Sequence, residues 1–180
     1  PSPSATSIRG NSIHADDSLG IDIFANTGAI VNPNDSCDPD VGPNLRQNYP
    51  VISSVSYGAG STNITGTLNS VANTTYKVDF YSCPACDSPS GYGEGQKYLG
   101  GTTVNTGPGT CDGSFQLTVP SDDLVGQFVT ATATDPAGNT SEFSACALAI
   151  LNPNPTPTPT PTPNPTATPT PVPTPTATPT

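Results

Sequence analysis

The residues best suited to chemistry in this chain are oxygen donors crowded into one short stretch. Asn34 and Asp35 precede Asp38-Pro39-Asp40-Val41-Gly42-Pro43-Asn44, so hard oxygens recur at roughly alternate positions. Calcium takes about six to eight such oxygens in a flexible loop, and Asp35, Asp38, Asp40 and Asn44 are the candidate set for it. The stretch is not an EF-hand, because its glycine comes one position early and no terminal glutamate follows. Asp, Asn, Pro and Gly are also the residues of polar turns, so a plain linker is the competing reading.

Five cysteines offer a second chemistry: Cys37, Cys83, Cys86, Cys111 and Cys146. Cys83-Pro84-Ala85-Cys86 has redox spacing, but no βαβ pattern surrounds it. Zinc needs a second Cys or His pair at ligand spacing, and the one histidine, His14, lies in another segment. Structural disulfides in an oxidising compartment are therefore expected among Cys83, Cys86, Cys111 and Cys146. One of the first two is expected to bridge to Cys111 or Cys146, and Cys37, in a separate segment, is the natural odd one out.

Other clusters carry less. Gly91-Tyr92-Gly93-Glu94-Gly95 lacks the Lys-Ser/Thr of a phosphate loop and reads as a tight connection between strands. Tyr81, Tyr92 and Tyr98 could stack on sugar rings as glycan contacts, or pack over an edge of the fold. His14 has no Ser or Cys partner at recognisable spacing. Asp16, Asp17 and Asp22 could act as paired carboxylates only in a cleft built by several stacked coils. No catalytic residue is nominated, and the chain is not expected to be an enzyme.

These residues need elements to hold them, and the clearest is the stretch Gly126 to Phe143. Val129, Ala131 and Ala133 alternate with Thr130, Thr132 and Thr134, the period of a half-buried strand. Asp135-Pro136-Ala137-Gly138-Asn139 then supplies turn residues before a second run, which predicts a hairpin. Ile64, Gly66 and Leu68 share a face; so do Tyr76, Val78 and Phe80, and Phe115, Leu117 and Val119. With runs near 51–57 and 97–104, about seven strands result, the number of a simple immunoglobulin-like sandwich over residues 51–151. Around Phe143 to Ile150 the alternation changes phase, consistent with a bulge or with burial on both faces. Residues 31–50 form a connecting loop rich in Asp, Asn and Pro. Residues 152–180 form a disordered Pro/Thr-rich linker of extended, polyproline-like character.

The first segment, residues 1–30, contains Ile8-Arg9-Gly10-Asn11-Ser12-Ile13-His14 and Leu19-Gly20-Ile21-Asp22-Ile23. Short apolar pairs spaced by turn residues suit one coil of a solenoid. These strings, followed by Asn32 to Pro50 and continuing to Ser141-Glu142-Phe143-Ser144-Ala145-Cys146, resemble the C-terminal part of secreted bacterial right-handed parallel β-helix repeat proteins, the pectate-lyase-like superfamily. Asp16-Asp17 and the extra Cys37 and Cys83 depart from that pattern. The resemblance implies an all-β chain: the last rung of a parallel β-helix, an immunoglobulin-like antiparallel sandwich and a Pro/Thr tail.

Charge limits the partners. Four Lys and Arg stand against 14 acidic residues, giving a net charge of −10. That field repels phosphate, so neither nucleic acid nor an anionic membrane surface is expected as a partner. No stretch is long and apolar enough to insert in a membrane. The absence of methionine reads as a piece of a longer polypeptide, with further domains expected at both ends. The expectation is an extracellular, secreted or cell-surface module of structural display or adhesion, bound to glycan or to a surface protein. The alternative is the accessory carbohydrate-binding part of a β-helix polysaccharide lyase or hydrolase.

Overall fold

The computed structural model describes residues 5–23, 30–88, 90–120 and 123–152. The chain is all-β apart from a short 3-10 turn at Pro43–Arg46. Its strands are β1 (Val51–Gly58), β2 (Ser61–Asn69), β3 (Thr75–Cys83), β4 (Lys97–Asn105), β5 (Asp112–Pro120), β6 (Phe128–Thr134), β7 (Ala147–Leu148) and β8 (Ile150–Leu151). They form two four-stranded sheets, ordered β5-β2-β1-β8 and β4-β3-β6-β7. Pairing is antiparallel except between β1 and β8, which run parallel. The Pro/Thr linker, except Asn152, lies outside the described residues.

Period-two patterning explains the core. Val55, Ile64, Leu68, Phe115 and Val119 of the first sheet meet Tyr76, Val78, Phe80, Val104, Val129, Ala131 and Ala133 of the second. Phe80 and Phe115 meet edge-on, their ring centroids 5.3 Å apart. Gly66 is required in this layer, because a Cβ there would lie 2.2 Å from the Val51 carbonyl oxygen and 2.4 Å from Phe115. Ala59 and Gly60 both adopt positive φ between β1 and β2, as a two-residue hairpin turn of the right twist demands.

The stretch after β6 departs from a regular hairpin in an informative way. The turn forms as expected: Asp135 accepts from Asn139 N and Gly138 N. On the return, Ser141 N donates to Ala133 O and Ser144 N to Ala131 O, both at 2.9 Å. The Ser141 and Ser144 hydroxyls accept the amides of Ala133 and Ala131 in turn. Glu142 and Phe143 therefore stand opposite the single residue Thr132, a two-against-one bulge. The serine hydroxyls take the place of ladder partners.

Two expectations change. Thr130, Thr132 and Thr134 were the solvent side of a half-buried strand; all three are buried. Gly93 and Ser144 lie against Thr130 and Thr140 against Thr134, while the N-terminal segment packs over Tyr81 and Phe143 on the same outer face. Among the described residues of that segment no strand ladder forms; Ile13 makes a single antiparallel bridge to Gly95. Ile8, Ile13, Ile21 and Ile23 join Tyr81 and Phe143 in a second, smaller core.

The disulfides also differ from expectation. Cys86 pairs with Cys146, one of the alternatives foreseen, but Cys37 pairs with Cys111 and the buried Cys83 is the free thiol. Loop 31–50 folds back over the end of the β2–β5 pair, where Cys37 N donates to the Asn69 side chain and Asn69 reaches Thr110 and Asp112. Cys83 closes β3 opposite Phe128, buried on the same face of the strand as Tyr81. Burial also pushes the Cys83 thiol up, which keeps it protonated and unreactive. Titration with a thiol reagent, without reductant, should find no accessible thiol in the native chain and one per chain in denaturant; Cys83→Ala should find none in either, whereas more than one in the unfolded wild type would refute the pairing.

Candidate functional site

The chain concentrates its buried charge where the N-terminal segment meets the second sheet. Arg9 forms a two-pronged pair with Asp79 of β3, Nε to Oδ2 at 2.6 Å and Nη2 to Oδ1 at 2.9 Å. Asp79 is 1 % exposed, and Tyr98 of β4 donates to it at 3.0 Å. A buried carboxylate in this state needs its cation; removing the partner would leave an uncompensated charge. Beside it, the Tyr81 hydroxyl accepts Gly10 N, and Ile13 and Gly95 exchange both backbone hydrogen bonds at 2.9 and 2.8 Å. Glu94 accepts Ala15 N and Asp16 N.

Glu142, set inward by the bulge, is the second anchor. Its carboxylate accepts Ile23 N at 3.0 Å and Asn32 N at 2.7 Å, so one side chain ties both flanks of 24–31 to the sheet. At 2 % exposure, burial pushes its pKa up, against the two backbone donors that hold it down.

Loop 31–50 forms a polar hub at one end of the sandwich. Asp38 accepts from Gln47 Nε2 at 2.8 Å, from Asn48 N at 3.2 Å and from Ser70 Oγ. Asn48 Nδ2 donates to the carbonyls of Asp35 and Asn69. Of the four candidate calcium ligands, Asn44 stands apart. Its amide donates to Thr6 O and Thr140 O and its oxygen accepts Thr6 N, each at 2.8 Å, so it clamps the N-terminal segment instead. Among the described residues no three His, Cys, Asp or Glu side chains gather as a metal centre.

Of the three tyrosines Tyr81 and Tyr98 meet, their ring centroids 5.4 Å apart, and Tyr92 packs elsewhere. Tyr81 is buried edge-on against Phe143, with centroids 5.4 Å apart. Tyr92 packs on Tyr49, their hydroxyls 2.9 Å apart, and burial together with that contact pushes the Tyr49 phenol up. Tyr98, 44 % exposed, is the member left at the surface, in a shallow groove with Arg9 and Lys77.

His14, Asp16, Asp17 and Glu94 line a hollow of 560 Å³ with Cys83 and Cys86. Glu94 is occupied by backbone amides and Cys86 by its disulfide, so these two groups hold the segment in place. The glycine loop above it works by contact. A Cβ at Gly93 would fall 2.3 Å from Thr130, and one at Gly95 2.9 Å from Phe143 and Tyr81.

Sequence reasoning missed Asp79 and Glu142, which meet the N-terminal part of the chain 70 and 110 or more residues away, and it missed Gln47, Asn48 and Ser70, which meet at Asp38 through a fold of the loop that no local pattern marks. Arg9 offered a signal, as one of four cations beside a run of isoleucines. No protein-family model matches the chain, and no curated protein matches it. No helix among the described residues is long and apolar enough to cross a membrane.

Because the folded-state pKa of Glu142 lies above the unfolded one, its contribution is present in full below the ordinary carboxylate value and is lost as pH rises through the raised one. Unfolding measured against pH should therefore show stability increasing as pH falls from neutrality toward the ordinary carboxylate range. Glu142→Ala should remove part of that slope and cost about 1–3 kcal/mol for each amide left unpaired. An unchanged slope in the variant would contradict the anchoring role.

Proposed function

We propose that this chain is a non-catalytic extracellular module of structural display or adhesion, in which a sandwich is locked onto the segment that precedes it. The observation that carries this reading is that residues 5–23 are a layer of the sandwich: an ion pair, a reciprocal backbone bridge and a buried carboxylate fasten them. A joint of that kind transmits position, as a display scaffold must. In this reading residues 1–30 are the last turn of a right-handed parallel β-helix. Ile8, Ile13, Ile21 and Ile23 are its apolar end, which the sandwich caps; an open rung would expose both core and backbone donors. Two facing four-stranded sheets of Ig-like size support an immunoglobulin-like domain over residues 51–151. Two disulfides fit an oxidising compartment outside the cell.

One observation favours the second reading, an accessory carbohydrate-binding part of a β-helix lyase or hydrolase. Tyr98 shares its groove with Arg9 and Lys77, two of the four cations in the chain, a combination suited to an acidic glycan. Co-sedimentation of the full chain with neutral and acidic polysaccharides, followed by assay for released sugar ends, separates the two. The display reading expects no release of sugar ends and no retention that depends on Tyr98. Retention that Tyr98→Ala abolishes, in a chain that still folds, would replace it with the carbohydrate-binding one, and release of sugar ends would refute both the display reading and its non-catalytic character.

A further inference from the structure

Loop 31–50 leaves a specific electrostatic problem at the end of the sandwich. Asp38 is 8 % exposed, and only its Oδ2 is used by Gln47, Asn48 and Ser70. Its Oδ1 is buried without a hydrogen-bond partner, and so is Oδ1 of Asp35. The charges acting on Asp38 from nearby are those of Asp35 and Asp40, both negative. A buried carboxylate oxygen left unpaired is costly, and like charges beside it increase the cost. The surrounding backbone is nonetheless pinned: Cys37 is disulfide-bonded to Cys111, Asp35 N donates to Asn48 Oδ1, and Tyr49 N donates to Asn34 Oδ1. The two oxygens are thus held in place by covalent and hydrogen-bond constraints that do not themselves satisfy them.

We propose that Asp35 and Asp38 bind a calcium ion through their unpaired Oδ1 atoms. Asp40 adds negative charge to the site, and backbone carbonyls and water complete the shell. Calcium fits where zinc does not. Zinc takes about four nitrogen, sulfur or carboxylate ligands in a fixed tetrahedron, whereas calcium accepts a larger, flexible shell of carbonyl and water oxygens around few carboxylates. Asn44, committed to Thr6 and Thr140, is not a ligand. The ion would lie within loop 31–50, its two carboxylates on either side of the disulfide-bonded Cys37, and would stiffen the loop that joins the N-terminal layer to the sandwich. This site does not depend on the display reading, since its test reads ion binding alone.

The test uses the full chain, non-reduced, with the metal alone as probe. Extracellular calcium modules bind with dissociation constants of about 0.1–1 mM. About 10 mM calcium should then raise the unfolding midpoint by roughly 3–10 °C over excess chelator, and magnesium should raise it less. Asp35→Asn should abolish the rise while leaving the chain folded in chelator, since Asp35 Oδ1 accepts no hydrogen bond among the described residues. Terbium gives a second readout. The chain has no tryptophan, and the Tyr76 hydroxyl lies 2.8 Å from the Ser70 hydroxyl that donates to Asp38. Tyrosine-sensitised terbium emission should therefore appear, be displaced by calcium and be lost in Asp35→Asn. A midpoint indifferent to calcium, an equal rise with magnesium, or a rise and emission that survive both Asp35→Asn and Asp38→Asn would overturn the proposal.

Discussion

The structure depends on one constraint: the outer face of the second sheet cannot face water. β3 and β6 present Asp79, Tyr81, Thr130 and Thr132 on that side, all buried, and the bulge after β6 adds Glu142 and Phe143. Uncovered, this face would expose two aromatic rings that pack on the isoleucines, and would strip Asp79 of Arg9. The N-terminal segment supplies both the apolar cover and the cation. The molecule is therefore three layers deep on this side, and the described residues of the third layer form no strand ladder of their own.

Polar fastening suits such a layer better than a further strand would. A coil without regular pairing leaves its amides to find individual acceptors, since buried donors must be satisfied. Here they find Tyr81, Glu94, Thr140 and Glu142. The acceptors come from three separate stretches of the sandwich, so no single loop movement releases the segment. The same logic holds at loop 31–50, where Gln47, Asn48 and Asn44 side chains replace the ladder that a loop lacks.

Local pattern made some of this legible and hid the rest. The phase of β6, the turn at Asp135 and the change of phase near Phe143 could be read from neighbours in sequence, because each depends on spacing within a few residues. The burial of Thr130 could not: threonine suits a solvent-facing strand, and its cover includes Gly93, brought back from another loop, and Ser144 beyond the turn. Cys37 looked solitary because sequence separation was taken for spatial separation, whereas Asn69 draws the loop to Cys111. Asn44 was read as an ion ligand by residue type alone, and the type fits a double backbone clamp equally well. The tyrosines illustrate the same limit in part: Tyr81 and Tyr98 do meet, their ring centroids 5.4 Å apart across the β3–β4 pair, whereas Tyr92 packs on Tyr49.

The central claim is that the N-terminal layer belongs to the same cooperative unit as the sheets. Native-state hydrogen exchange tests it most directly, because amides that open only with the whole fold report the global free energy and loosely attached ones report much less. The amides of Ile13, Gly95 and Ile23 are the ones to follow, against those of β3 and β6. The account predicts that all exchange with the same free energy and the same denaturant dependence. Exchange at Ile13 and Ile23 through local openings, orders of magnitude faster than in β3 and β6, would contradict it.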